Sequence, residues 1–243
     1  LMIKIPGTPE GLPAVEEVIS AGINVNVTLL FSVKSYVETF YAYIRGLEKR
    51  LASGEDISNI SSVASFFLSR IDSKIDDYID GLLKENTSPE KAAKLTNIKG
   101  KVAIANAKIA YQEYKKIINS ERWQTLAAKG ARVQRLLWAS TGTKNPAYSD
   151  VMYVDELIGE DTVNTLPPLT IEACADHCDP ANRIESDVNE AYQLIESLSD
   201  PDININLDQV MDDLLEDGID KFIKPFGSLM NSLSGKVKLL TTV

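Results

Sequence analysis

The chain has 243 residues, 44% of them hydrophobic and 25% charged, the composition of a globular protein with enough apolar material for a sizeable core. Its formal net charge of -10 argues against nucleic acid or an anionic membrane as a partner, since both need a cationic footprint. No run of eighteen apolar residues occurs, so no membrane-spanning helix is expected.

The opening residues LMIKIP read as a short strand near 2–6 and give no basis for judging targeting. Period-two geometry puts Ile3 and Ile5 on one face and turns Lys4 to the other, with Met2 and Pro6. PEGLPAVEEVISAG follows as a helix, with Leu12, Val15, Val18 and Ile19 at helical spacing and Gly22 as its stop. NVNVTLLF, in the strand near 24–31, alternates again: Val25, Val27 and Leu29 share one face, Asn24, Asn26 and Thr28 the other. A strand, helix, strand unit means a parallel pair joined by a crossover. Strands that are apolar outside and polar inside predict a (β/α) barrel, whose active groups gather at the C-terminal ends of several strands.

The helix SVKSYVETFYAYIRGLEKRLASG leads to a third strand near 62–69, where Ser65 alternates with Ala64 and Phe66. A further helix, a helical stretch from Ser88 to about Ile118 and the segment ERWQTLAAKG precede a fourth strand near 135–140. TVNTLP, near 162–167, is the fifth. From Thr170 onward the pattern is helical, with Pro201 as its one break. The aspartate pairs at 76–77 and 212–213 fall on amphipathic helices and read as solvated faces. A closed barrel of this kind has eight strands, so five cannot close, and open parallel edges invite aggregation. Either three strands are missing from this chain or the sheet is open.

Both cysteines and the single histidine fall together in IEACADHCDP, as Cys174, His177 and Cys178. Structural zinc takes four ligands and Asp176 and Asp179 substitute poorly, so two reduced thiols on a helix are the better reading and no metal site is expected. One histidine also excludes most His-based triads. An enzyme built on this chain draws its acid and base from lysine, carboxylates, hydroxyls or water.

Four segments together carry a resemblance. IKIPGTPEGLPAVEEVISAGINVNVTLLFS resembles the lysine strand and the following Asn-x-Asn-x-Thr strand of the transaldolases. VASFFLSR resembles that family's Ser-x-Phe-x-x-Arg strand end, RLLWASTGTKNP its Ala-Ser segment with a basic residue just beyond, and TVNTLPPLT its last strand. The Thr-Gly-Thr-Lys-Asn-Pro form and the long insertion before it are similar to the branch found fused to or beside glucose-phosphate isomerase, and the match covers nearly the whole chain. The better-known branch has an arginine where Lys144 stands, with fewer residues after the serine.

The resemblance implies a class I aldolase of the (β/α)8 TIM-barrel fold, with residues 1–243 forming strands 4–8 and extra C-terminal helices. It implies that Lys4 is the Schiff-base nucleophile and that Thr28 holds the proton-shuttling water. Burial in the barrel would lower the pKa of such a lysine. Asn26 and Ser65 would bind the hydroxyls of a three-carbon fragment, and Arg70, Ser140 and Lys144 would hold a phosphate. Two acid/base carboxylates and a substrate-binding asparagine belong to strands one to three, and no residue here is assigned to them. The implied reaction moves a dihydroxyacetone unit between phosphorylated sugars in the pentose phosphate pathway, with no metal or organic cofactor. The implied location is cytoplasmic, or plastid in a photosynthetic eukaryote, and a homodimer is an allowed assembly. Two alternatives stay open: a fructose 6-phosphate aldolase, and a non-catalytic fragment or subunit.

Overall fold

The computed structural model describes residues 1–85 and 87–241, except for the side chains of 238–241. Five strands, β1 (Ile3–Pro6), β2 (Val25–Leu30), β3 (Ser62–Phe67), β4 (Gln134–Ala139) and β5 (Thr162–Asn164), form one parallel sheet in chain order. Helix α1 (Gly11–Ser20) links β1 to β2, and α2 (Val33–Ala52) links β2 to β3. Between β3 and β4 lie α3 (Ser69–Lys84), α4 (Pro89–Ile98), α5 (Val102–Ile118) and α6 (Glu121–Ala127). The short α7 (Met152–Asp155) precedes β5, and α8 (Pro168–His177), α9 (Val188–Ser197) and α10 (Leu207–Thr241) follow it.

The period-two pattern decides which face of the sheet is covered. Val25, Val27, Leu30, Ala64, Phe66, Leu136 and Trp138 are buried. Strand pairing in register puts Val27 beside Ala64 and Ala64 beside Leu136, so these side chains share a face. Helix α2 buries Tyr36, Phe40, Tyr43 and Leu47, and the Phe40 ring meets Trp123 of α6 edge-on at 5.5 Å. Serine hydroxyls start the helices: Ser32 accepts the Ser35 N–H at 3.1 Å and Ser120 that of Trp123 at 3.3 Å. The opposite face carries Lys4, Asn26, Val63 and Ser65, with Lys4 level with Asn26.

Several expectations need correction. Leu29 does not join Val25 and Val27 on the helix-covered face. The register of β2 slips between Val27 and Leu30, and Leu29 takes a left-handed φ of 63°, which inserts one residue and hands its outer position to Leu30. Leu29 points instead toward α10, where a Cβ on Gly218 would lie 2.8 Å from its Cδ2. The third and fifth strands end early, since Ser69 opens α3 and β5 spans only Thr162–Asn164. The C-terminal helices have a second break at 178–187, and Pro225 lies inside α10 without ending it. Asp77 and Asp212 are exposed as expected, whereas Asp76 is buried and Asp213 pairs with Lys74 at 2.6 Å, tying α10 to α3.

Candidate active site

Lys4 and Thr28 face one cavity of about 220 Å³, walled by Pro6 and Leu29 and, from α10, by Ile219, Phe222 and Ile223. The Thr28 hydroxyl is buried and has no hydrogen-bond partner among the described residues. A buried hydroxyl without a partner costs roughly 1–3 kcal/mol, so such a group calls for a water or ligand. Lys4 itself is exposed, against the expectation of burial, because β1 pairs only with β2 among the described residues. Its Nζ lies 5.8 Å from the centre of the Phe222 ring, within reach of a cation–π contact.

On the same sheet face, Ser65 donates its hydroxyl to Asn26 Oδ1 at 2.7 Å. Ser65 is buried and Asn26 half-buried. Lys4, Asn26, Thr28 and Ser65 therefore share one side of adjacent strands, as their alternation predicts.

The basic residues divide into two places. Arg70 sits in the first turn of α3, half-buried, with its guanidinium 5.0 Å from the Phe67 ring centre. Its neighbour Ser69 shares a hydrogen bond of 2.9 Å with the Ser140 hydroxyl and donates its N–H to the Ser140 carbonyl at 3.0 Å. Ser140 adopts a left-handed φ of 58°, which turns the chain out of β4 toward the head of α3. Ser140 is thus joined to the residue next to Arg70 at the N-terminal end of a helix, where oriented N–H groups favour an anion. Lys144 is exposed and lies elsewhere, in a cavity of about 330 Å³ with Asp72, Asp76, Tyr148 and Tyr153.

The cysteine–histidine cluster is a surface feature. Cys174 and Cys178 are free thiols, and the hydrogen bond from Cys178 to Asp155 Oδ1, 2.8 Å long, is the main cause pushing that thiol up to about 12. A thiol so raised stays protonated and is a poor nucleophile. His177 bridges Asp150 at 2.8 Å and Asp176 at 3.1 Å, which raises its pKa. Among the described residues, no group of three or more His, Cys, Asp or Glu side chains is placed to hold a metal ion, and no helix is long and apolar enough to cross a membrane.

The transaldolase/fructose-6-phosphate aldolase family matches residues 1–233. The chain belongs to that family. It is 73% identical over 244 residues to "Transaldolase 2" of a Nostoc sp. strain and 72% identical over 243 residues to the "Transaldolase" of Trichodesmium erythraeum. Each alignment takes in 100% of this chain and 64% of the relative, so the chain spans less than two thirds of these proteins' length. A "Transaldolase" of Mycolicibacterium smegmatis is 44% identical over 238 residues, 98% of this chain and 62% of that protein. The sequential parallel sheet flanked by helices is in keeping with the TIM-barrel superfamily to which such a family belongs.

Sequence reasoning missed several members of these sites. Ile219, Phe222 and Ile223 were legible as an apolar stripe at helical spacing, but nothing in that spacing says that α10 crosses to Lys4. Asp72 and Asp76 carried a signal, because they share a helix face with the buried Ile75 and Ile79. Tyr148 and Tyr153 lie in and beside a loop without periodicity and gave none.

Proposed function

We propose that this chain supplies the Schiff-base half of a transaldolase, its five strands being strands four to eight of an eight-stranded barrel. The supporting observation is the shared cavity of Lys4 and the unpartnered Thr28 hydroxyl. A lysine amine adds to the ketone of a donor such as fructose 6-phosphate or sedoheptulose 7-phosphate, giving a carbinolamine and then, on loss of water, an imine. The imine draws electrons from the C3–C4 bond, which breaks. The aldose leaves, and the three-carbon unit stays on Lys4 as an enamine that attacks an acceptor aldehyde such as erythrose 4-phosphate or glyceraldehyde 3-phosphate.

Thr28 holds the water that carries protons in these steps, its free hydroxyl being the group such a water would satisfy. Asn26 and Ser65, already joined at 2.7 Å, hold the hydroxyls of the three-carbon unit on the same face. Arg70 and Ser140 at the head of α3 take the phosphate, with Lys144 as the outer cation. The imine nitrogen is itself the electron sink, so the chemistry calls on no metal or organic cofactor. The names of the relatives favour transfer to an aldehyde over release of free dihydroxyacetone, and the long insertion carrying α3 to α6 goes the same way. Location is read as cytoplasmic, or plastid in a photosynthetic eukaryote.

The test is covalent trapping. Incubating the complete protein with fructose 6-phosphate and borohydride should leave a reduced three-carbon adduct on the peptide containing Lys4. An adduct on another lysine, or turnover with no adduct, sinks the assignment.

A further inference from the structure

The cavity that holds Lys144 is built around two carboxylates one helical turn apart on α3. Asp72 accepts the Ala103 N–H at 2.8 Å with one oxygen and the Tyr153 hydroxyl at 2.8 Å with the other. Asp76 repeats the arrangement, accepting the Gly100 N–H at 3.1 Å and the Tyr148 hydroxyl at 2.7 Å. Asp80, a turn further along, is taken by Lys99. The Tyr148 ring lies over Gly100, where φ is +70° and a Cβ would come within 2.7 Å of the tyrosine Cζ. Only a glycine at 100 leaves room for that ring.

The loop after β4 closes on itself as well. The Thr143 hydroxyl donates to the Ser149 carbonyl at 2.9 Å, and Asn145 Oδ1 accepts the Ala147 N–H at 2.9 Å. This closed segment carries Lys144; the loop is held to α3 at its start through Ser140 and Ser69, and within the closed segment the tie to the helix is the phenol of Tyr148. Arg70 stands on that same helix, six residues before Asp76. A continuous path therefore runs from Arg70 along α3 to Asp76, across to Tyr148 and back to Lys144. Asp72, Asp76 and Asp80 all have internal donors, while Lys144 has no ion-pair partner among the described residues.

We propose that Tyr148 is a positioning residue for Lys144: its hydrogen bond to Asp76 sets where the Lys144 ammonium stands relative to Arg70, and so tunes affinity for the phosphate of the substrate. The inference rests on the reading of Lys144 as a phosphate contact. Without the phenol hydroxyl the closed segment around Lys144 loses its tie to Asp76, and Asp76 is left one donor short beside a free cation. Lys144 then turns inward to Asp76 and away from the anion.

Tyr148→Phe in the complete protein isolates the effect, because the ring stays on Gly100 and only the oxygen is lost. The KM for fructose 6-phosphate should rise about tenfold, with kcat changed less than about twofold, the pattern of binding lost equally in the ground and transition states. The inhibition constant of inorganic phosphate should rise by a similar factor, while kcat/KM for unphosphorylated fructose stays put. Tyr148→Phe combined with Lys144→Ala should be no worse than Lys144→Ala alone, since one residue acts through the other. Equal losses on both sugars, or additive losses in the double variant, overturn the positioning role. If Lys144→Ala leaves the KM for fructose 6-phosphate unchanged, the phosphate reading of Lys144 is what fails, and the role given to Tyr148 falls with it. If Lys144→Ala raises that KM and Tyr148→Phe does not, the phosphate reading survives and the positioning role alone is refuted.

Discussion

Asp72→Asn should change the pH dependence of stability, and the size and sign of the change follow from burial. Asp72 is 2% exposed, and burial pushes its pKa from 3.8 to about 6 against the opposing pull of the Ala103 N–H and the Tyr153 hydroxyl. Asp76, one turn away, adds to the rise. A group whose folded pKa lies above its unfolded value binds its proton more tightly in the fold. Its stabilising contribution is therefore complete below the unfolded value and is lost as pH rises through the folded one. At about 1.4 kcal/mol per unit, the shift is worth about 3 kcal/mol in all, of which about 2 kcal/mol disappears between pH 4 and pH 7.5. Asparagine has the same shape and does not titrate. Urea unfolding of wild type and Asp72→Asn, followed by the fluorescence of the buried Trp123 and Trp138, gives the difference at each pH. Wild type should lose about 2 kcal/mol relative to the variant across that window. A constant difference would show that Asp72 titrates alike in folded and unfolded states. A difference that grows in favour of wild type as pH rises would mean that its two hydrogen bonds outweigh burial, and the reasoning would be wrong.

Arg70→Ala should cost roughly 2–4 kcal/mol in kcat/KM for phosphorylated donors and far less for an unphosphorylated ketose; equal losses in a kinetic comparison would make Arg70 structural. Thr28→Val removes a buried hydroxyl that has no internal partner, so melting should be unchanged or slightly higher while kcat falls about 10- to 100-fold; unchanged kcat would remove Thr28 from the proton path. Gly7→Ala places a Cβ 2.2 Å from Leu30 Cδ2 in the buried layer beneath α2, and overpacking of this kind should cost about 1–3 kcal/mol by urea unfolding. Gly100→Ala combines a φ of +70° with a Cβ in the Tyr148 ring, so it should destabilise and also raise the KM for fructose 6-phosphate; a rise in neither would refute the packing of that ring on Gly100.

What the amino-acid sequence determines by itself is the set of properties carried by local spacing. The alternation in NVNVTLLF sets Asn26 and Thr28 opposite Val25 and Val27 before any tertiary contact exists, because successive side chains on a strand must take opposite faces. The same rule turns Lys4 away from Ile3 and Ile5, and the four family-like segments, read in order, fix the family that residues 1–233 match. Tertiary structure decided the rest wherever the deciding partner is remote. Leu29 leaves its expected face because an inserted residue in β2 breaks the period, and Gly218 of α10 lets it pack there. Asp76 reads as solvated from its charge, yet it is buried because its donors come from Gly100 and, 72 residues away, from Tyr148. A carboxylate can be buried only where donors converge on it, and convergence from distant parts of the chain has no signature in local spacing. For that reason the tie between Arg70's helix and Lys144's loop was invisible until α3, α5 and the loop after β4 were packed together.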